Sequence, residues 1–193
     1  LTEICFVRHG QTDWNIKKKI QGTTQTVLNE RGILEARLCA IHLQAKKWDR
    51  VITSPLLRAV QTAEIINEQL RNLPITYDDC WIERDYGIAT GWTYEKMISA
   101  YQAGEIHDIE ENEHISKRVQ LGLEKLLTLY RNERIIVISH GVTIVAALNI
   151  GLAHPLPFEK IHLQNGSLNV MKHKNNKWKV ESYNELFHMN AHC

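Results

Sequence analysis

The chain has 193 residues, 44% of them hydrophobic, and a formal net charge of +1. That length suits one domain with a sizeable core, or one domain carrying a small inserted cap. The near-neutral balance argues against a nucleic-acid or anionic-membrane partner, and no apolar run approaches a membrane span or a secretion signal. Four cysteines, Cys5, Cys39, Cys80 and Cys193, are scattered without a Cys-x-x-Cys pair. They predict reduced thiols in a cytoplasmic chain, not a disulfide framework. Cys5 and Cys39, among apolar neighbours, read as small core residues.

Strand-like and helix-like patterns alternate along the chain. Ile4 to Val7 reads as a short buried strand. Glu30 to Trp48 reads as a helix with Leu34, Leu38, Ile41, Ala45 and Trp48 on its apolar stripe and Asn29 as its cap. Arg50 to Thr53 is a short strand, and Ser54-Pro55 predicts a cap with proline at the first helical position. The helix so opened buries Ala59, Ala63, Ile66 and Leu70. Ile75 to Tyr77 is a brief strand, Tyr94 to Tyr101 a short helix, and Glu113 to Tyr130 a longer one. Arg134 to Ser139 is apolar at consecutive positions, as a parallel strand covered on both faces requires. A helix follows over Val142 to Ile150. Ser167 to His173 and Trp178 to Tyr183 flank Lys174-Asn175-Asn176-Lys177 and read as a hairpin at a sheet edge. The pattern predicts an α/β fold, a three-layer sandwich with a mostly parallel central sheet flanked by helices.

Ligands in such folds bind beyond the carboxyl ends of the strands. Three candidate groups fall there: Arg8-His9-Gly10, then Ser54 with Arg58, then Ser139-His140-Gly141. A histidine at a strand end is often structural. Here an arginine precedes His9 and a glycine follows it, and a phosphate would use all three. Guanidinium gives planar bidentate contacts, and a neutral imidazole offers a nucleophilic nitrogen once the other nitrogen is hydrogen-bonded. His140 repeats the histidine–glycine pair and suits a donor to transferring phosphoryl oxygens. Arg58, near a helix start, is either a solvated charge or a second phosphate ligand.

Cys5 to Asn15, running Cys-Phe-Val-Arg-His-Gly-Gln-Thr-Asp-Trp-Asn, resembles the opening of the histidine phosphatase superfamily, which includes the cofactor-dependent phosphoglycerate mutases. Ile20-Gln21-Gly22, Leu28 to Gly32, Thr53 to Ala63, Glu83-Arg84-Asp85-Tyr86-Gly87 and Ser139-His140-Gly141 continue the resemblance in order. It implies a phosphoglycerate mutase-like fold over the single domain 1–193, with a cap insertion at about 92–118. It implies His9 as the phosphorylated nucleophile and Arg8, Arg58 and His140 as the phosphate pocket. Asn15, Gln21, Gly22 and the Gly141 amide would line that pocket. Glu83 would be the general acid, with Asp85 its nearest rival. The implied reaction needs no metal and no cofactor, because guanidinium groups and His140 take a metal's place. The implied partner is a small phosphomonoester.

The resemblance leaves mutase and phosphatase chemistry to be separated. The mutases carry a longer insertion with paired arginines. Here Gly104 to His114 holds Glu105, Asp108, Glu110, Glu111 and Glu113 and no arginine, and such a cap would repel a second phosphate. Tyr94 stands where the mutases have lysine, and Val142 where they usually have asparagine. These departures predict a phosphomonoester hydrolase, with a phosphoglycerate mutase and a non-catalytic phosphate-binding protein as alternatives. Thr90-Gly91 and Asn112-Glu113-His114 also depart from the phosphatases, so the cap is unusual. Trp92, Tyr94, Met97 and Tyr101 would either rim the pocket or pack the cap onto the domain. His188, His192 and Cys193 lack the spacing of a complete metal site and read as a frayed tail.

Overall fold

The computed structural model describes residues 1–158 and 162–186. Strands β1 (Thr2–Arg8), β2 (Arg50–Thr53), β3 (Ile75–Tyr77), β4 (Arg134–Ser139), β5 (Leu168–Lys174) and β6 (Lys177–Glu185) form one sheet in the order β3-β2-β4-β1-β5-β6. The first four are mutually parallel where they pair, and β5 and β6 run antiparallel at one side. The α-helices are α1 (Asp13–Ile16), α2 (Glu30–Leu43), α3 (Leu57–Gln69), α4 (Tyr94–Gln102), α5 (Asn112–Leu129) and α6 (Gly141–Gly151), and short 3-10 helices span Asp79–Trp81 and Gly87–Ala89.

Alternate residues of β1 and β4 feed opposite faces, as the strand period of two demands. Ile4, Phe6, Ile135 and Val137 pack with Trp81 and with α5 and α6. Cys5, Val7, Ile136 and Ile138 pack with Cys39, Ala40 and Leu43 of α2 and with Ala59, Ala63 and Ile66 of α3. The result is the expected three-layer α/β sandwich. A third, smaller cluster joins Ile20, Tyr86, Ala89, Met97, Ala100 and Ile106 around α4. Among the described residues no helix is long and apolar enough to cross a membrane.

Two helices differ from the sequence expectation. Asn29 caps α2 as predicted, its side chain accepting from Gly32 N at 2.9 Å. The helix stops at Leu43, however, and the Trp48 indole turns back to donate to the Leu43 carbonyl at 2.8 Å. Leu34 and Ile41, expected in the core, are 45% and 51% exposed. Leu38 is buried as expected, and beside it and Leu43 the buried face carries Gly32, Ala36, Cys39 and Ala40, small residues that let the helix approach closely. Helix α3 begins at Leu57, two residues past Pro55. Gln25, from a distant loop, accepts from Leu57 N at 2.9 Å. The Ser54 hydroxyl accepts from Leu56 N and lies 2.8 Å from His140 Nε2. It therefore belongs to the site as much as to the helix.

Candidate active site

Sheet register assembles the site. Arg8 pairs with Ser139, and Thr53 with Ile138, so β1, β2 and β4 end together. Each strand's next residues then emerge at one edge: His9, Ser54 and His140. The His9 and His140 rings lie 5.1 Å apart between centroids. That is close enough for joint contact with one phosphate.

The backbone around His9 is clamped. His9 N donates to the Ser139 carbonyl at 3.0 Å, and Asn165 Nδ2 donates to the His9 carbonyl at 3.0 Å. Gly10 is required by close approach: a Cβ there would stand 2.3 Å from the Gly32 carbonyl oxygen. Gly32 is constrained in return, because its Cβ would stand 2.1 Å from the Gln11 oxygen. The His9 Nδ1 is 2.7 Å from the Gly10 carbonyl oxygen, which can only accept, so Nδ1 carries the proton. Nε2 is left with a lone pair, and Arg58 Nε donates toward it at 3.3 Å.

Arg58 is buried and held by the loop after α1. It donates to the carbonyls of Gly22 and Thr24 at 2.8 Å and to Thr26 Oγ1 at 3.2 Å. Gly22 adopts φ +50°, a left-handed conformation that glycine tolerates, and so presents that carbonyl. Arg8 donates through Nη1 to the Leu163 carbonyl, while its buried Nε has no partner. Burial pushes His9 well below the ordinary histidine value, and the charges of Arg58 and Arg8 push it further. Burial, Arg58, His9 and Arg8 do the same to His140. Burial also lowers Arg58 to about 10, against the opposing pull of Glu83. The site thus brings two imidazoles held toward their neutral form beside two poorly solvated cations, an arrangement that favours an incoming anion.

Glu83 reaches the same place by a separate route. Ser139 Oγ donates to the Trp81 carbonyl at 2.8 Å and Thr143 Oγ1 to the Ile82 carbonyl at 2.5 Å. These bonds lay the segment across the start of α6. There the Glu83 carboxylate accepts from Arg84 N at 3.0 Å and Thr143 N at 3.3 Å. Asp85 instead accepts from Gly87 N at 2.9 Å.

A cavity of about 560 Å³ opens onto this cluster, lined by Arg8, His9, Asn15, Gln21, Gly22, Arg58, Glu83 and Gly141. Of the residues expected to form the phosphate pocket, His140 alone does not line it. It is fully buried behind His9, with Nδ1 lacking a partner. Asn15 Oδ1 accepts from Thr12 N, and Gln21 Oε1 accepts from the hydroxyls of Thr12 and Thr26. These bonds fix which way each amide faces. The rest of the wall brings aromatic Trp14, Tyr86, Tyr94 and Phe158 and basic Lys18, Lys19, Arg84 and His162.

The acidic stretch stands away from the main cavity. None of Glu105, Asp108, Glu110, Glu111 or Glu113 lines the main cavity. Asp108 accepts from Ile88 N, and Glu110 pairs with Arg118 at 2.9 Å. Asp108 and Glu110 are thus engaged in local structure, and Glu110 and Glu111 line the neighbouring pocket instead. Tyr94 alone of the expected aromatic rim faces the main cavity; Met97 and Tyr101 line a neighbouring pocket of about 140 Å³. Trp92 packs against the third cluster. Sequence reasoning misses Leu163 and Asn165, which secure Arg8 and His9. The only signal for them is the turn-forming Asn165-Gly166-Ser167. Among the described residues no group of three or more His, Cys, Asp or Glu side chains could hold a metal ion. His188, His192 and Cys193 lie outside the described residues.

Comparison with known proteins agrees with this geometry. The family description "Histidine phosphatase superfamily (branch 1)" matches residues 4–186. The chain is 36% identical to an uncharacterized phosphatase, PhoE, of Bacillus subtilis (strain 168), covering 99% of this chain and 98% of the relative. It is 30% identical to a probable phosphoglycerate mutase, GpmB, of Proteus mirabilis (strain HI4320), covering 98% and 95%. A phosphoserine phosphatase of Entamoeba histolytica, solved with phosphoserine, superposes with a TM-score of 0.84 at 25% identity, over 98% of this chain and 100% of the other. The chain belongs to branch 1 of the histidine phosphatase superfamily and is a phosphatase-type enzyme of that family.

Proposed function

We propose that the chain hydrolyses a small phosphomonoester through a phosphohistidine on His9. The observation that carries this reading is the fixed tautomer: Nδ1 held by Gly10 at 2.7 Å and Nε2 facing the cavity's guanidinium at 3.3 Å. In the first step the Nε2 lone pair forms a bond to phosphorus as the ester P–O bond breaks. Glu83 passes its proton to the departing oxygen. Arg8 and Arg58 hold the equatorial oxygens, where charge spreads in the transition state. His140 serves as a further donor. Asn15, Gln21, Gly22 and the Gly141 amide orient the phosphate. In the second step Glu83 takes a proton from water, the water oxygen bonds to phosphorus, and the P–N bond breaks to release phosphate and restore His9.

We read the chain as one domain with a cap at about 92–118, and place it in the cytoplasm on the strength of its scattered cysteines. Because the acidic stretch folds away from the cavity, the case for hydrolysis over mutase chemistry rests on Tyr94 and Val142. Both line the cavity. Neither offers the cation or amide expected of a mutase. A phosphomonoester screen with and without 2,3-bisphosphoglycerate separates the two.

The test of the nucleophile is a rapid quench into base during turnover. A phosphoramidate is labile in acid and durable in alkali, so the wild-type chain should trap one phosphoryl group. His9→Ala should trap none and lose nearly all turnover. His140→Ala should still be labelled, only slowly; a label that survives in His9→Ala and vanishes in His140→Ala reverses the two roles.

A further inference from the structure

One buried carboxylate near the site has no part in the chemistry so far. Glu35 sits on α2, 6% exposed, and does not line the cavity. Its Oε2 accepts from Gln11 N at 2.8 Å. Gln11 N and the Gly10 carbonyl belong to one peptide group, and that carbonyl is 2.7 Å from His9 Nδ1. A carboxylate, a peptide and an imidazole are therefore connected in series. The geometry points to Glu35 as a positioning residue that acts on His9 through the Gly10–Gln11 peptide. This inference rests on His9 being the nucleophile.

The physical effect follows from polarisation. A peptide whose N–H is held by a carboxylate becomes a better acceptor at its carbonyl, since successive hydrogen bonds strengthen one another. A stronger acceptor holds the proton on Nδ1 and keeps the lone pair on Nε2. It also stabilises the positive charge that the ring gains as Nε2 bonds to phosphorus. The linking peptide is firmly placed. Gln11 O accepts from Asn29 N at 3.0 Å, Gly10 N donates to Thr62 Oγ1 at 3.1 Å, and the Gly10–Gly32 contact leaves no room for a side chain. The other carboxylate oxygen accepts from Arg31 Nε at 3.2 Å, and Arg31 is largely solvent-exposed. Burial raises the Glu35 carboxyl, while the Gln11 amide, Arg31 and Arg8 oppose that rise. The arrangement shares the logic of a carboxylate orienting a catalytic imidazole, with a peptide group interposed.

The alternative is that Glu35 only anchors the turn. Glu35→Gln separates the two, because glutamine keeps the volume and an acceptor oxygen for Gln11 N and removes the charge. A relay predicts a fall of about 10-fold in single-turnover phosphorylation of His9, the scale seen when partners behind a ligand are changed. KM should hold, because no phosphate contact is touched. In substrate-free protein the His9 Nδ1 proton resonance should move upfield. An unchanged rate with an unchanged resonance overturns the relay, and so does a lost rate with an unchanged resonance. Should the glutamine variant fail to fold, Gln11 can be replaced by its α-hydroxy acid, which exchanges the linking N–H for an ester oxygen. The same slowing and upfield movement are expected there, and wild-type values for both would overturn the proposal. Failure of base quenching to label wild-type His9 would reject the nucleophile itself, whereas the substrate-free resonance tests the Glu35–His9 link separately.

Discussion

Arg58→Met removes a buried charge while keeping most of the side-chain volume, and its consequences for stability and activity should diverge. Depression of the guanidinium to about 10 means that the fold disfavours its charge by roughly 3 kcal/mol. Methionine relieves that penalty. It also deletes four hydrogen bonds, to Gly22, Thr24, Thr26 and His9, each contributing about 1 kcal/mol net. The two effects nearly cancel, so stability should change by less than about 2 kcal/mol. For a chain of this length that is a Tm change under about 8 °C. Turnover should fall by at least about a hundredfold, because a donor to the transferring oxygens is lost. Inorganic phosphate should raise the Tm of the wild type by occupying the cationic pocket, and raise that of Arg58→Met much less. Thermal melts with and without phosphate, beside steady-state rates on an aryl phosphate, measure all three quantities. A Tm loss well beyond 8 °C would show that Arg58 chiefly anchors the loop over Gly22 to Thr26. Undiminished turnover would show that no transferring oxygen rests on it.

Other consequences can be checked with the same material. Glu83→Gln should slow phosphorylation strongly with alkyl phosphates and weakly with nitrophenyl phosphate, whose leaving group needs no proton; equal losses in single turnover would move the acid elsewhere. EDTA should leave the rate unchanged, because Arg8 and Arg58 supply the positive field, and abolition with rescue by a divalent ion would reject the mechanism. His9 and His140 are held neutral far below their unfolded value of about 6.5, so the unfolded chain alone binds protons just below that pH. Stability should therefore be full above about pH 6.5 and fall on acidification by up to about 1.4 kcal/mol per pH unit for each histidine. Denaturant unfolding of the wild type and of His9→Gln/His140→Gln between pH 7 and 5 tests this, with the steeper decline expected in the wild type.

The parts of the site that the sequence displayed are those fixed by local pattern. β1 and β4 are apolar at every consecutive core position, so their ends, and with them His9 and His140, were placed before any packing was known. Helix α2 misled because hydrophobicity outweighs size in a periodic pattern. Its buried face mixes Leu38 and Leu43 with the small Gly32, Ala36, Cys39 and Ala40, and the Leu34 and Ile41 that mark the stripe face solvent. Ser54 reads both as a cap and as part of a strand-end group, and only the structure shows that its hydroxyl lies against His140, a contact across 86 residues of chain. Glu83 was assigned from resemblance alone. Its position depends on Ser139 and Thr143 holding neighbouring carbonyls, which no short-range signal reports. The acidic stretch looked like an electrostatic barrier because charge can be counted without knowing its partners. For Asp108 and Glu110 those partners are Ile88 N, Asp85 N and Arg118.

The order of strands also sets a schedule for the growing chain. β1 leaves the ribosome first, yet it lies between β4 and β5, both made far later. Arg8 and His9 are steadied by Leu163 and Asn165, 155 and 156 residues downstream. At about 5 to 20 residues per second, β1 waits roughly ten to thirty seconds for its neighbours. Through that interval its unpaired apolar edges are open to mispairing and to chaperones. The nascent polypeptide already carries Arg8 and His9 but has no pocket to hold them. The site is assembled only when β5, Leu163 and Asn165 close over the first strand.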